Sequence, residues 1–217
     1  MDWIILNKFH NDWVSILIFS NLILLSFTKW RYDRKFTSFF KSIDPSVYFN
    51  NYGNNFFFNR FFGVSIFIFS VVNVSLFLIF ILDYFNLIKM NLFEFFILFS
   101  FLLSIGFVSY FTCSILGGAL RVRKQSLAYS FNNLRFLFRI SIFIFTILSI
   151  HHFYFFNTFL LLNTTFICVL ISYYLYSIVI IYNFLEDLNK GKFYFILYLC
   201  TLKFTPWAFI YWFIKYI

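Results

Sequence analysis

The sequence predicts an all-α, polytopic membrane protein of about six transmembrane helices in a single domain. Three observations predict it. Apolar residues make up 62% of the chain, against roughly 45–50% in a soluble domain. They fall into long runs that are nearly free of charge. The 8 acidic residues are outnumbered by 17 Lys and Arg, and these cluster beside the runs. Apolar surface on this scale needs the bilayer as its solvent, and a crossing helix satisfies its own backbone hydrogen bonds within the segment.

Taken in order, residues 1–11 are a short polar-aromatic start. The first span covers about 13–28, with Trp13 and Trp30 bracketing it as interface anchors. Lys29, Arg31, Arg34, Lys35 and Lys41 follow. Among them Phe36, Phe39, Phe40 and Ile43 recur at helical spacing. This predicts a short amphipathic helix lying on the membrane, its basic side toward the headgroups. An ordinary basic loop is the alternative. Asp44-Pro45 stops the segment, and 46–55 reads as an Asn-rich loop.

The second span is about 61–82, with Asn73 near its middle. A tight polar turn from Asp83 to Asn91 leads to the third span, about 92–116, with Glu94 near its start. Gly106, Ser109, Cys113 and Gly117 form a small-residue stripe along it, which lets a second helix come close. Residues 117–135 carry Arg121, Arg123, Lys124 and Arg135 among polar spacers. The fourth span, about 136–150, ends at His151-His152, and the fifth, about 159–182, carries Thr165, Cys168 and Ser172 as another small or hydroxyl stripe. After a polar turn at 183–192, the sixth span covers about 193–214. Its 22 residues make about 33 Å of helix, enough to cross a hydrocarbon core of roughly 30 Å.

The distribution of Lys and Arg predicts orientation. Thirteen lie in the segments 29–60, 121–139 and 183–192, against three in the tails and the 83–91 turn, with Lys203 inside the sixth span. The bias places the basic loops in the cytoplasm and both termini outside. The same placement explains the net charge of +9 by anionic lipid headgroups rather than nucleic acid. Lys29, Arg31, Arg34, Lys35, Arg121, Arg123, Lys124 and Arg135 are the expected headgroup contacts. The 40 Phe fit compositional drift in an A+T-rich genome and lipid-facing filler. The three Cys show no CxxC spacing, so neither zinc site nor disulfide framework is expected. No secretory signal pattern is present.

Chemistry is sparse. Lys203 lies near the middle of the sixth span, where a lysine costs about 2.5–3.5 kcal/mol to insert. Pro206 leaves the carbonyl of Leu202 without its helical partner. Helical angles put Cys200, Lys203, Pro206 and Trp207 on one side, which is expected to face protein. Asn73, also near mid-depth, is the nearest expected partner for Lys203. Snorkelling of Lys203 toward the interface is the alternative. His151 and His152 diverge by about 100° on a helix, so they do not share a metal as an i, i+4 pair would. Thr201 and Thr205 can bond backbone groups freed by the proline. There is no P-loop, GxSxG or HExxH motif and no paired intramembrane carboxylates, so no cofactor is expected.

The C-terminal segment FYFILYLCTLKFTPWAFIYWFIK resembles the end of an uncharacterised family of small inner-membrane proteins from Bacteroidota, domain of unknown function 4271. Tyr198, Leu199, Cys200, Leu202 and Pro206 carry the likeness, with Asp12-Trp13, Lys29, Phe36 and Tyr48 in similar order earlier. The resemblance covers about residues 12–215. It implies a location and a class, not a mechanism. Where that family usually has Glu, this chain has Lys203, so a proton-carrying role does not carry over.

The expected function is a non-enzymatic subunit or scaffold of a membrane complex, with lipids and other membrane proteins as partners. A small-solute carrier or channel using Lys203, Asn73 and the Pro206 kink is the alternative. Further alternatives are an enzyme acting on lipid or polyprenyl carriers through Arg121, Arg123, Lys124 and Arg135, and an organelle-encoded respiratory subunit.

Overall fold

A computed structural model describes residues 12–41, 61–119, 123–154 and 159–187. Six helices are present among them: α1 (Asp12–Arg31), α2 (Asp33–Lys41), α3 (Phe61–Tyr84), α4 (Leu92–Ala119), α5 (Arg123–Phe153) and α6 (Phe159–Asp187). Five are long and apolar enough to cross a membrane, and they correspond to the first five expected spans. The sixth expected span lies outside the described residues.

Helix α3 is the centre. In its most apolar window 72% of residues are buried, against 11% in those of α4 and α6. It touches α1, α4, α5 and α6, while α5 also joins α4 and α6. The helices alternate in direction, so the bundle has two ends. At one, called here the histidine end, the start of α1 meets the end of α5. At the other, the basic end, α1 passes into α2.

Each end has its own apolar core. Val14, Ile18, Leu76, Phe80, Phe95 and Leu148 cluster toward the histidine end. Phe39, Phe62, Ile66, Phe69, Phe131 and Phe138 cluster toward the basic end. Between them lies a layer of small or polar residues. Ser70, Asn73 and Ser141 are all fully buried. Ser141 Oγ lies 2.8 Å from the Leu137 carbonyl and 3.3 Å from that of Ser70 across the helix pair. Small side chains at that crossing let α3 and α5 approach closely.

The expected Gly106 stripe serves packing. An added Cβ at Gly106 would stand 2.4 Å from Phe67 Cζ of α3. Further along α4, Cys113 is buried and its carbonyl accepts a hydrogen bond from Ser126 Oγ of α5. The α3–α4 turn follows its sequence closely. Asn86 sits at φ 55°, a left-handed conformation that Asn tolerates. Leu87 N bonds Leu82 O and Asn86 N bonds Asp83 O, which together form a Schellman cap. The Asp83 carboxylate accepts from Met90 N at 2.9 Å and closes the loop.

One boundary and the direction of one side chain differ from expectation. Helix α5 begins at Arg123 and includes Arg135 and Arg139, rather than starting at 136. A span of 15 residues reaches only about 22 Å, and in the longer helix Arg135 and Arg139 donate to the Phe39 and Phe40 carbonyls of α2. Helix α2 forms as expected, yet Phe39 turns into the protein rather than toward acyl chains.

Candidate functional site

Three polar sites are built into the bundle. The first is at mid-depth. Asn21 Nδ2 donates to Asn73 Oδ1 at 3.0 Å, and Asn73 Nδ2 donates to the Phe69 carbonyl at 2.9 Å. Asn73 is fully buried, so its amide is committed to α1 and to its own helix. A buried amide is costly unless paired, and this pair ties α1 to α3 at one register.

The second site is at the histidine end. Ser15 Oγ and His152 Nε2 are hydrogen-bonded 2.8 Å apart. His151 points elsewhere, its ring edge-on to Phe80 with centroids 5.6 Å apart. The two rings diverge as adjacent helical residues must, and both are buried rather than exposed at the interface. Among the described residues no group of three or more His, Cys, Asp or Glu is placed to hold a metal ion.

The third site is at the basic end, where α5 receives the C-terminus of α2. Arg135 Nε donates to the Phe39 carbonyl and Arg139 Nη2 to the Phe40 carbonyl, each at 3.0 Å. The last carbonyls of a helix lack intrahelical donors and carry its negative dipole end, so two guanidiniums one turn apart suit them. Phe39 fills a box of Phe62, Phe131 and Phe138, with centroids 5.7, 5.4 and 5.7 Å away. Elsewhere on α5 Phe136 stacks on Tyr176 of α6, and the Tyr176 hydroxyl donates to the Asn132 carbonyl.

The sequence-predicted residues divide accordingly. Lys29, Arg31 and Arg34 are exposed at the basic end, and Lys35 is half-buried. Arg135 is 4% exposed, and its Nε donates to the Phe39 carbonyl at the end of α2. Arg123 and Lys124 lie in the first turn of α5, while Arg121, Cys200, Lys203, Pro206 and Trp207 lie outside the described residues. Asn73 is engaged by Asn21, a partner that sequence reasoning missed. The available signal was an Asn at mid-depth in each of two spans. Arg139 and Ser15 also escape sequence reasoning, the first because it falls in the 121–139 segment, whose charges read as those of a basic loop.

In class this is an all-helical, polytopic membrane protein whose polar side chains hold helices to one another. The chain matches a family model described as Domain of unknown function (DUF4271) over residues 14–214. It belongs to that family. No curated protein and no solved structure matches it.

Proposed function

We propose that this protein is a non-enzymatic subunit or scaffold of a complex in the cytoplasmic membrane, its basic end inside the cell. The observation that carries the reading is the outward face of α6. Thr164, Cys168 and Ser172 are exposed there at spacings of four, flanked by exposed Ile167, Ile171 and Leu175. Thr164 and Ser172 spend their hydroxyls on their own helix, on Leu160 and Cys168 carbonyls. A row of small residues gives lipid little to hold and lets another helix come near. The row differs from the expected one, because Thr165 is buried and Thr164 takes its place.

Photo-crosslinking in native membranes tests this. A crosslinking amino acid at position 168 or 172 is expected to capture a discrete membrane protein. The same group at Phe111, exposed among bulky residues on α4, is expected to capture lipid. Lipid adducts alone at 168 and 172, together with solute transport by the purified protein in liposomes, would overturn the reading in favour of a carrier.

A further inference from the structure

We propose that the junction of α1 and α2 is a binding site for an anionic phospholipid headgroup. Lys29, Arg31, Arg34 and Lys35 lie within seven residues around one carboxylate, Asp33. The excess is three positive charges. Lys29, Arg31 and Arg34 are exposed, and Lys35 Nζ lies 5.7 Å from the centroid of the Tyr32 ring. Trp30 is 77% exposed among them, and an indole prefers the headgroup level.

What distinguishes this cluster from a basic loop is how it is held. A one-residue break at Tyr32 separates the helices, and Tyr32 N to Thr28 O and Phe36 N to Tyr32 O bonds carry the chain across it. The Tyr32 ring packs edge-on to Phe62, 5.7 Å between centroids. Downstream, Phe39 and the two arginines of α5 fasten α2 to the bundle. The cations therefore keep one depth and one spacing, and a preorganised site spends less on ordering when its ligand arrives. Guanidiniums match phosphate oxygens in a two-pronged geometry. A zwitterionic headgroup brings its own ammonium to cancel the phosphate, so a net anionic one is preferred. Exposed Ile23 and Phe27 continue the same helix toward mid-depth and offer a surface for acyl chains. That continuity selects a lipid over free phosphate. The site lies at the α1–α2 junction, apart from the outward face of α6.

The full-length protein, purified in mild detergent, is mixed with equal amounts of phosphatidylglycerol and phosphatidylcholine, and retained lipids are counted by native mass spectrometry. The wild type is expected to retain phosphatidylglycerol by on the order of tenfold over phosphatidylcholine, given a factor of about five per juxtamembrane cation before screening. The triple substitution Lys29→Gln, Arg31→Gln, Arg34→Gln is expected to bring the ratio near one, and each single change to lower it a few-fold. Lys89→Gln, exposed at the opposite end, is expected to leave it unchanged. Millimolar inorganic phosphate is expected not to displace the lipid. Equal retention of both lipids by the wild type, an unaltered preference in the triple and single variants, or full displacement by inorganic phosphate would each overturn the proposal.

Discussion

Arg135 Nε stands 3.0 Å from the carbonyl oxygen of Phe39, a residue 96 positions earlier, and both side chains are buried. The contact joins the end of a short basic-faced helix to the middle of the longest one. It also resolves an apparent conflict in the sequence. An arginine beside an apolar run reads as a span boundary, but a guanidinium supplied with helix-end carbonyls is tolerated inside the protein.

Replacing Arg135 by Met keeps volume and removes the donor, leaving the Phe39 carbonyl buried without it. Hydrogen bonds to charged groups contribute about 1.5–3 kcal/mol, and a loss of that size is expected. Hydrogen exchange of residues 33–41 in detergent should rise sharply, while exchange in the middle of α3 should not. Unchanged protection of α2 would mean that Phe39 alone holds it.

Phe39 is the apolar half of the same attachment. Phe39→Ala opens a space among Phe62, Phe131 and Phe138 and is expected to cost about 3–5 kcal/mol. Phe39→Leu refills part of it and should cost clearly less. Midpoints of thermal or denaturant unfolding in a fixed detergent measure both. A surface helix lying loosely on lipid would show little difference between the two.

The Asn21–Asn73 bond calls for a double-mutant cycle. Each single change to Leu leaves one buried amide without its partner across the helices, while the double change removes both amides from the contact. Interhelical hydrogen bonds in membranes couple by about 0.6 kcal/mol on average and up to about 1.7. The pair is expected in the upper half of that range because Asn73 is fully buried. A coupling near zero, read from unfolding of the four proteins, would reduce the pair to a packing contact.

Much of this was legible in the sequence, and the exceptions have physical causes. Asn73 was identifiable because an amide in an apolar run stands out, but Asn21 was not its evident partner. Periodicity describes one helix at a time and does not say which helices are neighbours. The row expected from the sequence on α6 is one residue off for a related reason. Thr164 and Thr165 differ by about 100° around the axis, and either one makes a plausible stripe until the direction of the core is known. His151 and His152 were separable by that same angle, and the structure gives them separate partners, Phe80 and Ser15. The polar chemistry assigned to Lys203 and Pro206 rests on residues outside those described.

Two glycines of α4 offer a final comparison, because they share a helix and differ in surroundings. Gly106→Ala drives a methyl group to 2.4 Å from Phe67 Cζ, and Phe67 is itself buried with Phe107 at 5.8 Å. The ring must shift, and overpacking of this kind costs about 1–3 kcal/mol. Gly118→Ala meets nothing within 4 Å, and in the last turn of α4 it gains part of the roughly 1 kcal/mol that separates Ala from Gly in a helix interior. The two substitutions are therefore expected to move the unfolding midpoint in opposite directions. Phe67→Leu should restore most of what Gly106→Ala loses, because a shorter side chain vacates the position of Cζ. If Gly106→Ala were as harmless as Gly118→Ala, α3 and α4 would not approach each other as closely as this contact requires.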